Sequence, residues 1–165
     1  MKSKLKALTF GTWNVRTLLD SLKADRPERR SALVSRELAR YGIDIAALSE
    51  TRLRNEGQLS EVGGGYTFFW SGRPSTECRE SGVEFAIKSN LVRHLVGPPK
   101  GINDRLMTLQ VPLRGNKFAP LISVYASSMT NPDEIKIDFM KNLTLSSRQF
   151  QSPKSSSFLV TLMLE

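Results

Sequence analysis

The most constraining feature of the sequence is a mostly apolar run, residues 43–49, that leads directly into the carboxylate Glu50. Such a run is typical of a buried strand, which would deliver Glu50 to the edge of a sheet. Active sites are often built there, because a rigid element holds the side chain while the adjoining loop leaves it open to solvent. A buried strand followed by an ordinary polar loop residue explains this stretch equally well. Residues 9–16, a second predicted strand ending in polar groups, favour the functional interpretation.

The bulk composition restricts the class of protein. A chain of 165 residues is one domain or part of one, and an independent domain of this length buries about 70% of its unfolded surface without needing a disulfide or zinc. Cys78, the single cysteine, excludes a disulfide framework and a cysteine-ligated zinc site. No apolar run is long enough to span a membrane, and no signal peptide follows the basic start. We expect an intracellular protein, nuclear or cytoplasmic, that is not secreted.

The net charge indicates a polyanionic partner. The chain carries 24 Lys and Arg against 16 Asp and Glu, a formal charge of +8. A basic surface attracts nucleic acid because binding releases condensed counterions. Since the acidic residues are numerous and interspersed, charge that serves only solubility is the alternative.

Apolar periodicity predicts alternating strands and helices. A strand over residues 8–13, a helix over 29–41 closed by Gly42, and a strand over 43–49 form a β-α-β unit. Residues 52–65 and 71–81 are predicted loops, and no element is assigned to residues 89–101. A helix begins at residues 131–134, with Ile135, Phe139 and Leu143 as its apolar stripe. The remaining strands are predicted over residues 66–70, 82–88, 106–111 and 118–125. After about Leu143 the chain is rich in serine and shows neither the helical nor the strand periodicity of apolar residues.

Three of the predicted strands end in polar side chains that could meet: Asn14, Glu50 and Tyr125. One carboxylate with an amide and waters suits Mg²⁺, which keeps several waters and takes few protein ligands. A tyrosine hydroxyl can stabilise charge that develops on phosphorus. The residue types therefore fit a phosphodiester-cleaving site, although strand ends in any α/β protein carry polar groups.

Four motifs in order resemble the endonuclease/exonuclease/phosphatase superfamily. They are TWNVR at 12–16, LSET at 48–51, NDR at 103–105 and VYA at 124–126. Over residues 6 to about 143, the sequence is most similar to the endonuclease domain of non-LTR retrotransposons and the related craniofacial development protein 2. The resemblance implies an α/β fold of the α+β kind, a four-layer sandwich of two mixed β-sheets flanked by helices, here incomplete at its C-terminal side.

The resemblance also implies Mg²⁺-dependent cleavage of DNA, with Mn²⁺ as the alternative ion. Glu50 matches the family's metal-binding glutamate, and Asn14 matches the asparagine beside the metal and the phosphate. Tyr125 matches the tyrosine that contacts the scissile phosphate. We expect Arg16 and Arg105 to contact phosphate or DNA, with a structural role as the alternative for Arg105. Oligomeric state is not implied.

The chain departs from the family pattern in three respects, the largest being motifs that belong to the second half of the family domain. The Gly-Asp-Phe-Asn and Ser-Asp-His motifs are absent, so we expect little or no cleavage by this chain. Glu84 stands where a glycine is expected, which would crowd a neighbouring backbone, and Ser127 stands in place of a proline. Without a second sheet as cover, Phe10, Ile45 and Phe85 would form an exposed apolar patch, which predicts poor solubility or a molten state.

The last residues offer an explanation for the missing motif. Permitted codons for residues 158–164, read from the third base of the first codon, encode Leu-Gly-Asp-Phe-Asn-Ala. We therefore divide the chain into residues 1–143, the N-terminal part of the domain, and 144–165, a tail read out of frame. The alternative is a genuine C-terminal strand. Two other functions remain open: a non-catalytic, basic nucleic-acid-binding remnant, and a phosphatase of small phosphoesters.

Overall fold

The strands of the computed structural model form two separate sheets. The structure describes residues 7–19, 28–78, 81–113, 117–126, 133–149 and 160–164. The first sheet has the order β1-β2-β5-β4-β3, and the second has the order β6-β7-β8-β9. The strands are β1 (Phe10–Asn14), β2 (Ile45–Ser49), β3 (Glu56–Glu61), β4 (Tyr66–Ser71), β5 (Val83–Lys88), β6 (Lys100–Asn103), β7 (Leu106–Pro112), β8 (Phe118–Tyr125) and β9 (Val160–Leu164). The helices are α1 (Glu28–Arg40), α2 (Ser89–Val92) and α3 (Asp133–Gln149).

Both sheets are mixed. β1 pairs with β2 in parallel, and β8 pairs with β9 in parallel, whereas every other pairing is antiparallel. The parallel β1–β2 pair requires a crossover, and α1 lies within it, as the predicted β-α-β unit requires. Gly42, which follows α1, has φ of 66°, the left-handed conformation expected of a glycine after a helix.

The side chains alternate between two faces of each sheet, and this alternation builds the layers. Ile45, Phe85 and Ile87 face sheet two and pack with Leu109 and Leu121 in one buried cluster. On the opposite face of sheet one, Ala46, Leu48 and Phe68 pack against Val34 and Leu38 of α1. Both faces of sheet one are therefore covered by apolar side chains.

The outer face of sheet two is covered by the third helix. Leu106, Ile122 and Val124 form a small buried cluster, and Leu143 of α3 packs against it. The order of layers is α1, sheet one, sheet two and α3, which confirms the predicted four-layer sandwich of two mixed sheets flanked by helices. The predicted helix start at Asn131 and Pro132 and the turn at 114–116 lie outside the described residues, as does Ser127.

The expected apolar patch is wrong for two of its three residues. Ile45 and Phe85 are 0% exposed, because the chain itself supplies the four strands that cover them. Only Phe10, on the edge strand β1, is 37% exposed. The reason given for a molten state, an uncovered sheet, therefore does not hold.

The structure corrects several predicted loops. Residues 52–65, predicted as loop, contain β3, and residues 89–101, for which no element was predicted, contain α2 and the start of β6. α3 continues to Gln149, so residues 144–149 are helical rather than irregular, and residues 160–164 form β9 beside β8. Whether the tail is out of frame stays a prediction.

Glu84 occupies an unusual place for a carboxylate. Val83, Phe85 and Ile87 point into the core between the sheets, and Glu84 points the other way, as predicted. It is 0% exposed, and neither carboxylate oxygen has a hydrogen-bond partner among the described residues. Burial raises the pKa of Glu84 from 4.5 to about 8, because removal from water disfavours the charged form.

This burial predicts a pH-dependent free energy of unfolding. The folded state holds the Glu84 proton up to about pH 8, whereas an unfolded carboxyl near 4.5 releases it. The contribution of protonated Glu84 to the free energy of unfolding is on the order of 3–5 kcal/mol. It is complete below pH 4.5 and is lost as the pH rises to about 8. Denaturant unfolding should show Glu84→Gln equal to the wild type near pH 4.5 and more stable at pH 8. Glu56→Gln, at an exposed carboxylate, is the control, and parallel pH profiles for wild type and Glu84→Gln would contradict the prediction.

Candidate active site

Three strand ends bring together the side chains of Asn14, Glu50 and Tyr125, as the sequence predicts. Asn14 is the last residue of β1, Glu50 directly follows β2, and Tyr125 is the last residue of β8. Asn14 Nδ2 and Tyr125 Oη both donate hydrogen bonds to Glu50 Oε1, at 2.8 Å each. Because Tyr125 comes from sheet two, the contact exists only when the two sheets pack face to face.

The backbone around Glu50 is held in a conformation that L-residues rarely adopt. Arg16, Glu50 and Arg52 have φ of 60°, 56° and 58°. Left-handed φ at residues other than glycine costs free energy and persists where surrounding contacts impose it, often at functional sites. Here Arg52 N donates to the carbonyl of Ser81 at 2.9 Å. A Cβ at position 82 would lie 2.5 Å from Thr51 Oγ1, so the glycine there allows this close approach.

The surroundings of Glu50 favour its ionised form. The hydrogen bond from Asn14 is the largest cause that lowers the pKa of Glu50 below 4.5, and partial burial opposes it. The hydrogen bond from Tyr125 and the charges of Arg52 and Arg16 lower this pKa further. The pKa of Tyr125 is raised by burial and by the bond to Glu50, so the phenol stays protonated and donates.

The guanidinium of Arg105 packs against the face of the Tyr125 ring. Its guanidinium carbon lies 5.0 Å from the centre of the Tyr125 ring, and Nη1 donates to the carbonyl of Ala126 at 3.0 Å. The backbone N–H of Tyr125 donates to the carbonyl of Arg105, and the side chain of Asn103 accepts from the Arg105 N–H. These contacts favour the structural alternative for Arg105, while its contact with phosphate or DNA stays a prediction.

Asp104, the middle residue of the NDR motif, links the two sheets. Its Oδ2 accepts from Arg73 Nε at 2.9 Å and from the hydroxyl of Ser81. Its carbonyl also accepts from the N–H of Gly82, just before β5. Asp104 therefore ties the β6–β7 connection to the loops of sheet one beside the site.

The chemistry of Glu50 fits a weakly held hard cation. Oε1 carries both hydrogen bonds, and no described group bonds to Oε2. Asn14 Oδ1 already accepts the Arg16 N–H at 3.0 Å, so Asn14 acts here as a donor to Glu50, and its role as a metal ligand stays a prediction. Within the described part of the chain, no three His, Cys, Asp or Glu side chains cluster to hold an ion. Such a site would suit a hard divalent cation that keeps most of its own waters.

Arg52 is a charged residue near the site that sequence reasoning missed. Its charge lowers the pKa of both Glu50 and Tyr125, and its Nε is buried without a hydrogen-bond partner among the described residues. The signal was present, because a basic residue stands two positions after the glutamate of the LSET motif. With Arg16 exposed nearby, the site has more positive than negative charge, which suits an anionic substrate.

Comparison with known proteins identifies the family. A sequence profile described as Endonuclease/Exonuclease/phosphatase family matches residues 11–159. The chain belongs to this family. A search of curated protein sequences finds no match. The match covers all of α3 as well as the strand ends that carry the site.

Solved structures share the family's fold with this chain at low identity. An AP endonuclease from Leishmania major aligns with a TM-score of 0.61 and 18% identity, over 94% of this chain and 54% of that one. A 3′ phosphatase from Neisseria bound to a product DNA hairpin aligns with 0.54 and 20%, over 94% and 57%. The endonuclease domain of TRAS1, a telomere-specific non-LTR retrotransposon, aligns with 0.52 and 15%, over 92% and 56%. This chain therefore spans about half the length of these structures. No helix among the described residues is long and apolar enough to cross a bilayer.

The ranking of contacts predicts how the Glu50 carboxyl titrates. Asn14→Ala removes the largest cause that lowers its pKa, and Tyr125→Phe removes a smaller one. We expect the pKa of Glu50 to rise in both variants and to rise more in Asn14→Ala. Carboxyl ¹³C NMR of labelled glutamate, assigned with Glu50→Gln, measures this value. A larger rise in Tyr125→Phe would show that the phenol, not the amide, dominates.

Proposed function

We propose that this chain is the N-terminal part of a Mg²⁺-dependent DNA endonuclease of the retrotransposon type, with little or no cleavage activity of its own. The observation that carries the proposal is the Glu50 carboxylate, which receives hydrogen bonds from Asn14 and Tyr125 across two sheets. The family membership and the likeness to the TRAS1 endonuclease domain support it.

Each site residue has a role that follows from its contacts. Glu50, kept ionised, offers Oε2 to the cation, which would neutralise charge on the phosphate when bound. Tyr125 is held protonated beside it and can donate to a phosphate oxygen as charge develops there. The positive charges of Arg16 and Arg52 attract the phosphodiester backbone. Asn14 orients Glu50 through its amide.

The missing groups explain why we expect no turnover. The family's water-orienting carboxylate and its imidazole belong to the Gly-Asp-Phe-Asn and Ser-Asp-His motifs, which are absent from this sequence. The single histidine, His94, lies just after α2, and its ring bonds to the carbonyl of Asn90. Groups that act as a unit lose most of the rate when one is removed.

A binding measurement tests the assigned site without requiring activity. Fluorescence anisotropy with a duplex DNA at constant ionic strength should show tighter binding with Mg²⁺ than with EDTA. Because the Glu50 carboxylate would hold the cation, Glu50→Gln should remove that difference, while Glu56→Gln, at an exposed carboxylate on β3, should keep it. Salt-sensitive binding without any effect of Mg²⁺ would instead support the basic, non-catalytic remnant.

A cleavage measurement tests the expected lack of turnover. Supercoiled plasmid incubated with the chain and Mg²⁺ or Mn²⁺ should be nicked no faster than with Glu50→Gln. Nicking that requires the metal and disappears in Glu50→Gln would overturn the inactivity and leave the endonuclease assignment in place. The Neisseria neighbour is a 3′ phosphatase, so release of phosphate from a 3′-phosphorylated DNA end without nicking would favour the phosphatase alternative.

A further inference from the structure

Two buried serine hydroxyls lie between the sheets, directly beneath the candidate site. Ser49 is the residue before Glu50, and Ser123 stands two positions before Tyr125. Both serines are 0% exposed, and neither hydroxyl has a hydrogen-bond partner among the described residues. A buried hydroxyl that bonds to nothing lowers the stability of a fold, and most such groups in proteins are satisfied by the protein or by an ordered water.

The alternation of side chains along β2 and β8 turns both hydroxyls toward the same interior. Ile45 and Ala47 of β2 belong to the buried cluster between the sheets, and a strand period of two places Ser49 on that same face. Leu121 of β8 belongs to the same cluster, so Ser123 also faces it. The two serines therefore point toward each other's sheet from opposite sides of the core.

β2 and β8 approach each other closely across the core. Cα atoms of the two strands come within 8 Å of one another, whereas packed sheets usually lie about 10 Å apart. Short side chains such as Ala47 and Ser49 on β2 and Ser123 on β8 permit this approach. Just beyond the serines, Tyr125 Oη donates to Glu50 Oε1 and joins the ends of the same strands. The two hydroxyls therefore lie in a narrow layer whose width suits one water and no larger group.

The chemistry of the layer favours water as its occupant. Two neutral hydroxyls offer no charge to hold an ion in an apolar interior, whereas water both donates and accepts, as a hydroxyl does. Ser49 and Ser123 are already fully buried by this chain, so a group from outside it could not reach them without separating the sheets. A water is small enough to be enclosed there as the core packs.

We propose that Ser49 and Ser123 hold one internal water between the sheets, and that this bridge positions Tyr125 against Glu50. The bridge ties β2 to β8 one residue before the carboxylate and two before the phenol, so it fixes the separation over which the phenol must reach. Hydrogen bonds weaken when that separation changes by a few tenths of an ångström, and a bridging water holds two groups nearly as well as a direct bond. The serines are positioning residues, and the inference holds whether or not the chain cleaves DNA.

Oxygen-17 magnetic relaxation dispersion, which counts long-lived internal waters in solution, tests the bridge. Ser49→Ala and Ser123→Ala should each have one such water fewer than the wild type, because an internal water needs at least two polar partners. The double variant should also lose one water and not two, since both hydroxyls hold the same molecule. Ser35→Ala is the control, because this buried hydroxyl of α1 already donates to the carbonyl of Ala32. An unchanged count in the serine variants, or the loss of two waters in the double variant, would overturn the bridge.

A double-mutant cycle tests the positioning role separately. Tyr125→Phe removes the phenol's bond to Glu50, and urea unfolding gives the factor by which this lowers the folding equilibrium constant. If the bridge sets that bond, the factor should be at least about twofold smaller in a Ser123→Ala background than in the wild type. It should be unchanged in a Ser35→Ala background. The same factor in all three backgrounds would show that the serines do not act through Tyr125 and would overturn the positioning role.

Discussion

The packing of the two sheets' apolar inner faces is the constraint on which the rest of the structure depends. Phe85 and Ile87 of sheet one and Leu109 and Leu121 of sheet two share one buried cluster. Burying several such side chains contributes on the order of 1.5–3 kcal/mol each. Because Tyr125 lies at the end of an inner-facing row on β8, this packing carries its hydroxyl to the carboxylate at the end of β2. The site is therefore a consequence of the core.

Local strain and hydrogen bonding then set the geometry of the site. Glu50 leaves its strand in a left-handed conformation, which turns the carboxylate toward Asn14 and Tyr125 instead of continuing the strand. The turn is possible because Gly82 lets Thr51 approach closely and because the Arg52 N–H has a partner in Ser81. The donors that fix the carboxylate also keep it ionised, so orientation and charge have the same cause.

Sequence patterns predicted the elements that carry a strong period and missed those that do not. The alternation of residues 82–88 and the motifs around Asn14, Glu50 and Tyr125 placed three strand ends correctly, although only the fold could show that they meet. β3 was missed because its sequence, EGQLSE, is polar at an edge, where pairing with β4 and not burial makes the strand. Arg52 was missed because its importance lies in a backbone conformation and in charges that no periodicity reveals. The prediction of an exposed apolar patch was wrong because the strands after residue 100 were not counted as a second sheet.

A chain about half the length of its structural relatives can assemble this part of the site because all of its members lie within the first 125 residues. Asn14, Glu50, Arg105 and Tyr125 lie at the ends of β1, β2, β7 and β8 or directly beside them, and their contacts are partly buried there. The absent Gly-Asp-Phe-Asn and Ser-Asp-His groups are thus not needed to place Glu50. What they would add is the orientation of water and proton transfer, which act on the barrier of the reaction and not on the geometry of the carboxylate. A well-formed Glu50 site and a lack of turnover are therefore compatible, and the ability to fold is no measure of the ability to cleave.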